Sequence, residues 1–441
     1  MKSSGPDWTH PDISSTVHLV EVSSRIISSD KIGRLLPFRP EISLSSKVRA
    51  DRIAVVSYSL GGGGAERVVV DLCRYLHDSG RKVTLVTLSG RDPDVYTFPT
   101  GIQRECIEIR RVNRSLLYTI RYFSGCILAT RRKLRDLEPD VVVSFIDLIN
   151  VWTLLCLFGT RIPVIVSERI HPAYNVISRA WRLARRLAYP LASAVTVQTA
   201  DGAEWFRRHT RVKRLVVIPN AVRHSQDFGS RTVEAAESPA RPLVLAIGRL
   251  AEQKGFDLLL DAFYRAGLAR TGWQLAILGE GPERSALEQQ ATRLGIAGAL
   301  TLPGFVDVGQ WLERADLFVL SSRFEGFPNA LMEAMQTGLA CVSFDCPSGP
   351  RDLIENNRNG LLVPAEDVGG LTEALQRLAA DPDLRSRLGA EASKVSEQFS
   401  PALVYGKWLR VIDAVATKNT TTLFPRFFDS SVCRHAKRPS N

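Results

Sequence analysis

The sequence predicts an α/β protein built from two doubly wound domains in tandem, each a mostly parallel sheet covered by helices. Three observations predict this fold. Short apolar strands alternate with helical stretches along most of the chain, which is the βαβ pattern of parallel sheets. The alternation stops at a polar segment and then starts again. The 441 residues are also too many for one ordinary core and fit two domains.

The first domain is predicted over residues 51–225, after a poorly ordered, serine-rich leader at 1–50. A glycine-rich turn follows its first strand, and apolar residues at helical spacing then predict a helix from Ala65 to His77. The predicted strands are Ile53–Ser57, Lys82–Leu88, Val141–Ser144, Val164–Ser167, Ala194–Val197 and Leu215–Ile218.

A polar linker is predicted at 226–241, the second domain at 242–400, and a C-terminal helix with a basic tail at 401–441. The second set of predicted strands is Leu243–Ile247, Gln274–Leu278, Leu317–Leu320, Cys341–Phe344 and Gly360–Val363. The helices predicted between them are Gly255–Ala266, Pro282–Leu294, Pro328–Gln336, Asp352–Asn356 and Val368–Ala379. In such Rossmann-like domains, ligands bind in a crevice at the carboxyl ends of the strands, so we expect a ligand site in the cleft between the domains.

Charge is distributed unevenly along the chain, whose formal net charge is +11. Residues 51–225 carry a net charge of +12 and residues 241–400 a net charge of −6. We therefore expect the two domains to face different partners, the basic one an anion such as a membrane surface, a polyphosphate or nucleic acid. The seven cysteines form no CxxC pair, and no secretory signal or convincing bilayer span is visible, so a reducing, cytosolic compartment is expected.

Two motifs contain residues that suit an anionic, hydroxyl-rich ligand. Arg249 and Lys254 lie in the turn after the first strand of the second domain, where two cations can hold a diphosphate. Glu325 and Glu333 are separated by seven residues, the first before a predicted helix and the second on its second turn, and carboxylates there can accept hydrogen bonds from sugar hydroxyls. The alternatives are a solvated loop with two surface charges and two ordinary helix-flanking acids.

The turn from Gly61 to Arg67 is neither a P-loop nor a dinucleotide fingerprint, because no Gly-Lys-Ser/Thr follows and Glu66 stands where a glycine is needed. It either brings backbone N–H groups close to an anion or is a tight turn that binds nothing.

Six motifs in order together resemble glycosyltransferase family 4, retaining enzymes of the GT-B fold. They are Gly-Gly-Ala-Glu-Arg at 63–67, Gly-Arg-Leu-x3-Lys-Gly at 248–255, Leu-Gly-Glu-Gly-Pro at 278–282, Pro-Gly-Phe at 303–305, Ser-Ser-Arg-Phe-Glu-Gly-Phe-Pro at 321–328 and Gly-Leu-Leu-Val-Pro at 360–364. The resemblance runs from about Arg52 to about Leu409. The segments at 166–169 and 343–351 resemble the branch that extends bacterial lipid-linked or surface polysaccharides.

The resemblance implies a role for each matching residue, and a nucleotide sugar as the donor. The implied contacts are Arg249 and Lys254 with the diphosphate, Glu333 with the ribose, Glu325 with the donor sugar assisted by backbone N–H groups near Phe327 and Asn329, Phe305 with the base, and Gly63 and Gly64 beside the phosphate and acceptor. It implies no metal for the chemistry and no further cofactor.

The chain departs from the family where many members have a histidine after a strand like Val164–Ser167. Glu168 and Arg169 stand at this strand end, and His171 follows two residues later. Because site residues collect at strand ends in the crevice, we expect Glu168 and Arg169 to be catalytic residues. His171 is either a site residue or an ordinary loop histidine, and the second reading is favoured.

Two basic and partly apolar segments, Arg110–Arg135 and Ile177–Tyr189, predict helices that can lie on an anionic leaflet. The alternative is a solvated face opposite a core face. In a helix, Arg179, Arg182 and Arg186 would share one face. We therefore expect peripheral binding to the inner face of the cytoplasmic membrane.

The expected activity is retaining transfer of a hexose or N-acetylhexosamine from a nucleotide sugar, UDP being favoured over GDP, to a lipid-linked glycan in surface polysaccharide synthesis. One alternative is a transferase of the same fold with a soluble sugar or sugar-phosphate acceptor. The other is a basic membrane- or nucleic-acid-binding module. The acidic second domain is evidence against this alternative.

Overall fold

The computed structural model describes residues 49–61, 63–90, 98–109, 116–174, 178–223 and 241–417, together with 94 and 96. Most of the predicted leader, the linker up to residue 240 and the tail from residue 418 lie outside these ranges. Residues 110–115 and 175–177 of the two basic segments lie outside them as well. The predicted domain boundaries therefore stay predictions.

The first lobe contains a sheet of seven parallel strands whose central members are rich in valine and isoleucine. Its strands are β1 Arg52–Ser57, β2 Lys82–Thr87, β3 Gln103–Cys106, β4 Val141–Phe145, β5 Val164–Ser167, β6 Ala194–Val197 and β7 Leu215–Val217. Their order is β3-β2-β1-β4-β5-β6-β7. Strands β4, β5 and β6 are buried along their whole length, as expected for a parallel sheet with helices on both faces.

The second lobe repeats this architecture with six parallel strands. They are β8 Leu243–Ile247, β9 Gln274–Leu278, β10 Leu300–Gly304, β11 Leu317–Leu320, β12 Ala340–Asp345 and β13 Leu361–Pro364. Their order is β10-β9-β8-β11-β12-β13, the classic order of a dinucleotide-type sheet. The predicted pair of tandem Rossmann-like folds is confirmed.

Helices cover both sheets. The first lobe has α1 Gly64–Asp78, α2 Leu116–Asp136, α3 Asp147–Leu157, α4 Arg179–Ala188 and α5 Ala200–His209. The later helices are α6 Phe256–Arg265, α7 Arg284–Arg293, α8 Val308–Arg314, α9 Asn329–Gln336, α10 Pro350–Leu353, α11 Val368–Ala380, α12 Pro382–Ala392, α13 Val395–Gln398 and α14 Pro401–Ala416. Within the described ranges, every helix is too short or too polar to cross a bilayer.

Every predicted strand forms, with ends that differ by at most one residue, but β3 and β10 are missed. Both lie at sheet edges, and β3 has the sequence Gln-Arg-Glu-Cys with no buried residue, so it carries no apolar signal. The helix predicted at Asp352–Asn356 is wrong, because α10 ends at Leu353. The Asn356 side chain instead accepts a hydrogen bond from the Leu362 backbone at 3.0 Å, and Asn357 adopts a left-handed φ of 63° in the turn toward β13.

The last helix, α14, packs into the first lobe although it follows the second lobe in the chain. Trp408 is 1% exposed, and its ring lies 5.7 Å from the ring of Phe145 at the end of β4. Arg81, just before β2, donates a hydrogen bond of 2.9 Å to Asp413 on the same helix. After the second lobe, the chain therefore returns to the first lobe and connects the two lobes a second time.

Removing the Trp408 ring should leave a cavity in the first lobe, so Trp408→Ala should destabilise the protein by about 3–5 kcal/mol. Leu403→Ala on the same helix should have a small effect, because Leu403 is 53% exposed. Urea unfolding followed by circular dichroism measures both variants. Equal destabilisation by the two substitutions would show that α14 is not anchored by its buried face.

Candidate active site

Both sheets reverse their strand order at one point, and candidate residues follow the strands on either side of it. Gly63 and Gly64 follow β1 in the first lobe, whereas Arg249 follows β8 and Glu325 follows β11 in the second. The carboxyl end of a sheet at such a reversal is the usual ligand site of doubly wound domains. The space between these two sheet edges is called the cleft below.

Side chains from the two lobes meet directly in the cleft. The Asn329 side-chain amide donates to the Gly64 carbonyl at 3.3 Å, and the hydroxyls of Thr199 and Ser348 lie 3.0 Å apart. A Cβ at position 326 would lie 2.1 Å from the Arg169 carbonyl oxygen. Glycine at this position therefore lets the loop before α9 approach the end of β5.

Lys254 and Glu325, both predicted site residues, form an ion pair at the ends of β8 and β11. Lys254 Nζ lies 2.6 Å from Glu325 Oε1, and the Ser322 hydroxyl donates to the same oxygen at 2.6 Å. The Glu325 side chain is 7% exposed. Gly255, which has a φ of 60°, fixes the turn after Lys254, since a Cβ there would lie 2.1 Å from the Ser321 carbonyl oxygen.

Glu333 lies on the second turn of α9, as predicted, and its carboxylate accepts a hydrogen bond from Arg67 of α1. The Glu333 and Arg67 side chains are 4% and 14% exposed. Sequence reasoning missed Arg67 as a partner, because 266 positions separate the two residues. The available signals were its place in the motif at 63–67 and its position one helical turn after the glycine turn.

Arg249 and Phe305 are both exposed at the carboxyl edge of the second sheet. Arg249 lies two residues after β8 and has no carboxylate partner among the described residues. Phe305 follows β10 directly and is 71% exposed. An exposed cation and an exposed aromatic ring at one sheet edge are available to an anion and to a planar ring.

Phe327 is buried instead, and its ring packs 5.5 Å from the ring of Phe399 in the core of the second lobe. Only its backbone is therefore available to a ligand, as the resemblance implied.

Glu168 lies at the end of β5 within a buried polar network. Its carboxylate accepts a hydrogen bond from the Tyr189 hydroxyl, and Asn150 donates to that hydroxyl at 3.1 Å and to the Ser167 carbonyl at 3.0 Å. Burial raises the pKa of Glu168 to about 7, an effect that the nearby Arg185 partly offsets. Glu168 can therefore hold or release a proton near neutral pH.

Arg169 is buried and belongs to the wall that joins the lobes. Its guanidinium lies 5.7 Å from the Phe145 ring centre and donates to Asn220, whose amide in turn contacts Asn329 and the Phe327 carbonyl. Burial lowers the pKa of Arg169 to about 10, so it remains a cation at neutral pH. This placement favours a role in positioning α9 over direct contact with a reacting group.

A small recess of about 10 Å³, roughly the room that one water molecule needs, opens beside Glu168 between the lobes. Its polar walls include Glu168, His171, Gln198, Thr199 and Ser348. His171 is 6% exposed, its Nδ1 accepts a hydrogen bond from the Ala173 backbone at 3.3 Å, and its Nε2 lies 3.3 Å from Asp201. Burial lowers the pKa of His171 below its usual value. His171 therefore lies in a loop and also lines the recess.

Family models cover both lobes. Residues 62–226 match the model "Glycosyltransferase Family 4", and residues 241–381 match the model "Glycosyl transferases group 1". The chain is a glycosyltransferase. The first match contains Gly63, Gly64, Glu168 and Arg169, and the second contains every other predicted site residue.

Curated relatives align with this glycosyltransferase over most of their length. An α-1,4-N-acetyl-D-galactosaminyltransferase of Campylobacter jejuni, named for an undecaprenyl-diphosphate-linked glycan, is 27% identical over 82% of the chain and 99% of the relative. The amylovoran biosynthesis glycosyltransferase AmsD of Erwinia amylovora is 25% identical over 80% of the chain and 96% of the relative.

Solved structures show the same two-lobed fold. Sucrose-phosphate synthase from Thermosynechococcus elongatus superposes with a TM-score of 0.68, at 21% identity, over 82% of this chain and 99% of that one. HepE of Anabaena in complex with UDP gives a TM-score of 0.66, at 20% identity, over 82% and 100%. The fold of the glycosyltransferase is GT-B, as the sequence predicted.

The buried acid Glu168 should make the stability of the glycosyltransferase depend on pH. Because its folded pKa is raised from about 4.5 to about 7, the wild-type protein loses stability relative to Glu168→Gln as the pH rises through this interval. The amide keeps an acceptor for Tyr189, so the variant should gain up to about 3 kcal/mol over wild type by pH 8.

Thermal unfolding between pH 4.5 and 8 tests this, with the exposed residue Glu373 changed to Gln as the matched control. A stability difference between Glu168→Gln and wild type that stays constant over this range would contradict the burial argument.

Proposed function

We propose that the glycosyltransferase binds a nucleotide sugar in the cleft and transfers its hexose or N-acetylhexosamine with retention of configuration. The observation that carries the proposal is the largely buried Lys254–Glu325 pair at the same sheet edge as the exposed Arg249, which has no carboxylate partner within the described ranges. This arrangement presents cations for a diphosphate and a carboxylate for sugar hydroxyls within one sheet edge. Glu333, on the next helix, lies in the same cleft.

Each part of the donor has a proposed partner in the cleft. Arg249 and Lys254 bind the diphosphate and stabilise the negative charge that grows on the leaving nucleotide. Glu325 accepts hydrogen bonds from the donor sugar, and Glu333 accepts them from the ribose hydroxyls. The remaining proposed contacts are the backbone near Phe327 and Asn329 with the sugar, Phe305 with the base, and the Gly63–Gly64 turn with the phosphate.

The proposed reaction is attack by an acceptor hydroxyl on the same face that the nucleotide leaves, with a donor phosphate oxygen taking the acceptor proton. The bond from the sugar to the phosphate breaks as the bond to the acceptor oxygen forms. Glu168 lies in the recess, held by Tyr189, where it can orient a hydroxyl of the sugar or acceptor. A sugar trapped covalently on Glu325 or Glu168 would contradict this mechanism.

The proposed acceptor is a lipid-linked glycan in surface polysaccharide synthesis. Support comes from the relatives of Campylobacter jejuni and Erwinia amylovora, which match the chain over most of its length and are named for an undecaprenyl-diphosphate-linked glycan and for amylovoran biosynthesis. UDP is the proposed nucleotide, with GDP as the alternative. A soluble sugar or sugar-phosphate acceptor is the second candidate, since one structural neighbour of the same fold is a sucrose-phosphate synthase.

The proposed site of action is the cytoplasmic face of the membrane, where the first lobe has a surface suited to lipid. On α4, Leu183 and Leu187 are 58% and 67% exposed, beside the exposed Arg179, Arg182 and Arg186. Further exposed apolar side chains are Leu128 on α2, Leu155 on α3 and Phe158 directly after α3. Clustered apolar side chains with a basic rim are typical of a surface that contacts an anionic bilayer. Arg185 is excluded from it, because its guanidinium lies over the Trp205 ring.

A panel of UDP- and GDP-sugars should identify the donor by thermal stabilisation, since a ligand of the folded state raises its stability by mass action. Glu333→Ala and Lys254→Ala should abolish this stabilisation and the slow hydrolysis of the same donor. Gln336→Ala, on α9 but hydrogen-bonded to the Arg223 carbonyl, is the control and should keep both. Absence of stabilisation by every nucleotide sugar would exclude the proposed donor site.

Membrane binding should depend on the arginines of α4. The triple change of Arg179, Arg182 and Arg186 to Glu should release the enzyme from anionic vesicles, because each basic residue near the surface contributes about 1 kcal/mol. Sedimentation with phosphatidylglycerol vesicles, at low and high salt, measures the effect.

The matched control changes the exposed Arg265, Arg293 and Arg314 of the second lobe to Glu, which alters the net charge equally. Equal loss of vesicle binding in both triple variants would show that net charge alone is responsible.

A further inference from the structure

Arg67 crosses the cleft and occupies the carboxylate that the proposed function assigns to the ribose. Gly64 and Arg67 lie one turn apart on α1, and Asn329 and Glu333 lie one turn apart on α9. Gly64 faces Asn329, and Arg67 faces Glu333, so the N-terminal halves of the two helices contact each other across the cleft. Both partners of the Arg67–Glu333 pair are largely removed from solvent.

A ribose that binds Glu333 must displace Arg67 from at least one carboxylate oxygen. The displaced guanidinium would be a poorly solvated cation without its partner, which is strongly unfavourable unless another anion replaces the carboxylate. Its Nε has no hydrogen-bond acceptor among the described residues, so Arg67 has donors to spare. Asp71 lies one turn further along α1 and acts on Arg67 at a distance.

The donor itself brings the replacing anion. Its diphosphate is covalently joined to the ribose and lies, under the proposed function, beside the Gly63–Gly64 turn that precedes Arg67 on the same helix. Lys254 is already paired with Glu325, whereas Arg249 has no carboxylate partner in the part of the chain that the structure describes. A planar guanidinium is well suited to two phosphate oxygens at once.

We propose that Arg67 is a donor-binding residue contributed by the first lobe, which exchanges the Glu333 carboxylate for the donor diphosphate when a nucleotide binds. This inference rests on the proposed role of Glu333 as the ribose ligand. The exchange makes binding of the ribose and binding of the diphosphate interdependent. The ribose displaces Arg67 from Glu333, and the diphosphate then binds the displaced Arg67. A nucleoside without phosphates has to compete with Arg67 for Glu333 and provides no anion to bind the displaced guanidinium.

Comparison of uridine with UDP separates this role from a structural one, and guanosine with GDP replaces them if the panel selects GDP. In Arg67→Met, calorimetry should show UDP binding weakened about tenfold or more, because a charge-assisted contact is lost. Uridine binding should be unchanged or tighter, because its competitor is gone. Arg67→Lys, which keeps a cation, should restore part of the preference for UDP and guards against a folding defect.

Any parallel change in the two affinities would overturn the proposal. Equal weakening of UDP and uridine binding would mean that Arg67 only supports Glu333. Equal tightening of both would mean that Arg67 only closes the cleft. No change in either affinity would mean that Arg67 does not take part in binding. Gln336→Ala should leave both affinities as in wild type. Glu333→Gln tests the underlying assignment separately: if uridine binding survives this change, the ribose role of Glu333 fails whatever Arg67 does.

Discussion

The architecture of the cleft depends on the pairing of buried carboxylates with cations. Glu325 and Glu333 are both nearly inaccessible to solvent, and each would be costly to bury as an isolated charge. Lys254 satisfies Glu325 within the second lobe, whereas Arg67 satisfies Glu333 from the first lobe. The Lys254–Glu325 pair therefore lies within the second lobe, whereas the Arg67–Glu333 pair connects the second lobe to the first. A polar ligand that enters the cleft has to replace these contacts with equivalent ones.

The sheets place these groups with little freedom. Each lobe reverses its strand order once, so the chain leaves two adjacent strands in opposite directions and a crevice opens at their carboxyl ends. Glycines then let the two edges approach each other. Gly326 allows backbone contact with Arg169, and Gly255 allows the turn after Lys254 to pack on Ser321. The close approach of the lobes is a property of backbone geometry before any side chain is considered.

Much of the fold could be predicted because buried parallel strands are nearly continuous runs of apolar residues. Val164–Ser167 and Leu243–Ile247 form with the predicted ends, since nothing else in the sequence competes with such runs. Edge strands lack this signal. The strand β3 is a polar tetrapeptide that is recognisable as a strand only by its pairing with β2. The helix α10 was misplaced because side-chain hydrogen bonds of Asn356, invisible to periodicity, end it early.

The site was less predictable than the fold, and for a physical reason. Lys254 and Glu325 could be chosen because each follows a strand of the same sheet, and strand ends converge. Arg67 could not, since its partner belongs to the other lobe and only the relative position of the two lobes brings them together.

Arg169 differs again, because its position at a strand end in the crevice predicts chemistry, whereas its side chain contacts the wall that supports α9. Position along a strand thus predicts which residues reach the cleft, whereas the contacts across it decide which of them remain available to a ligand.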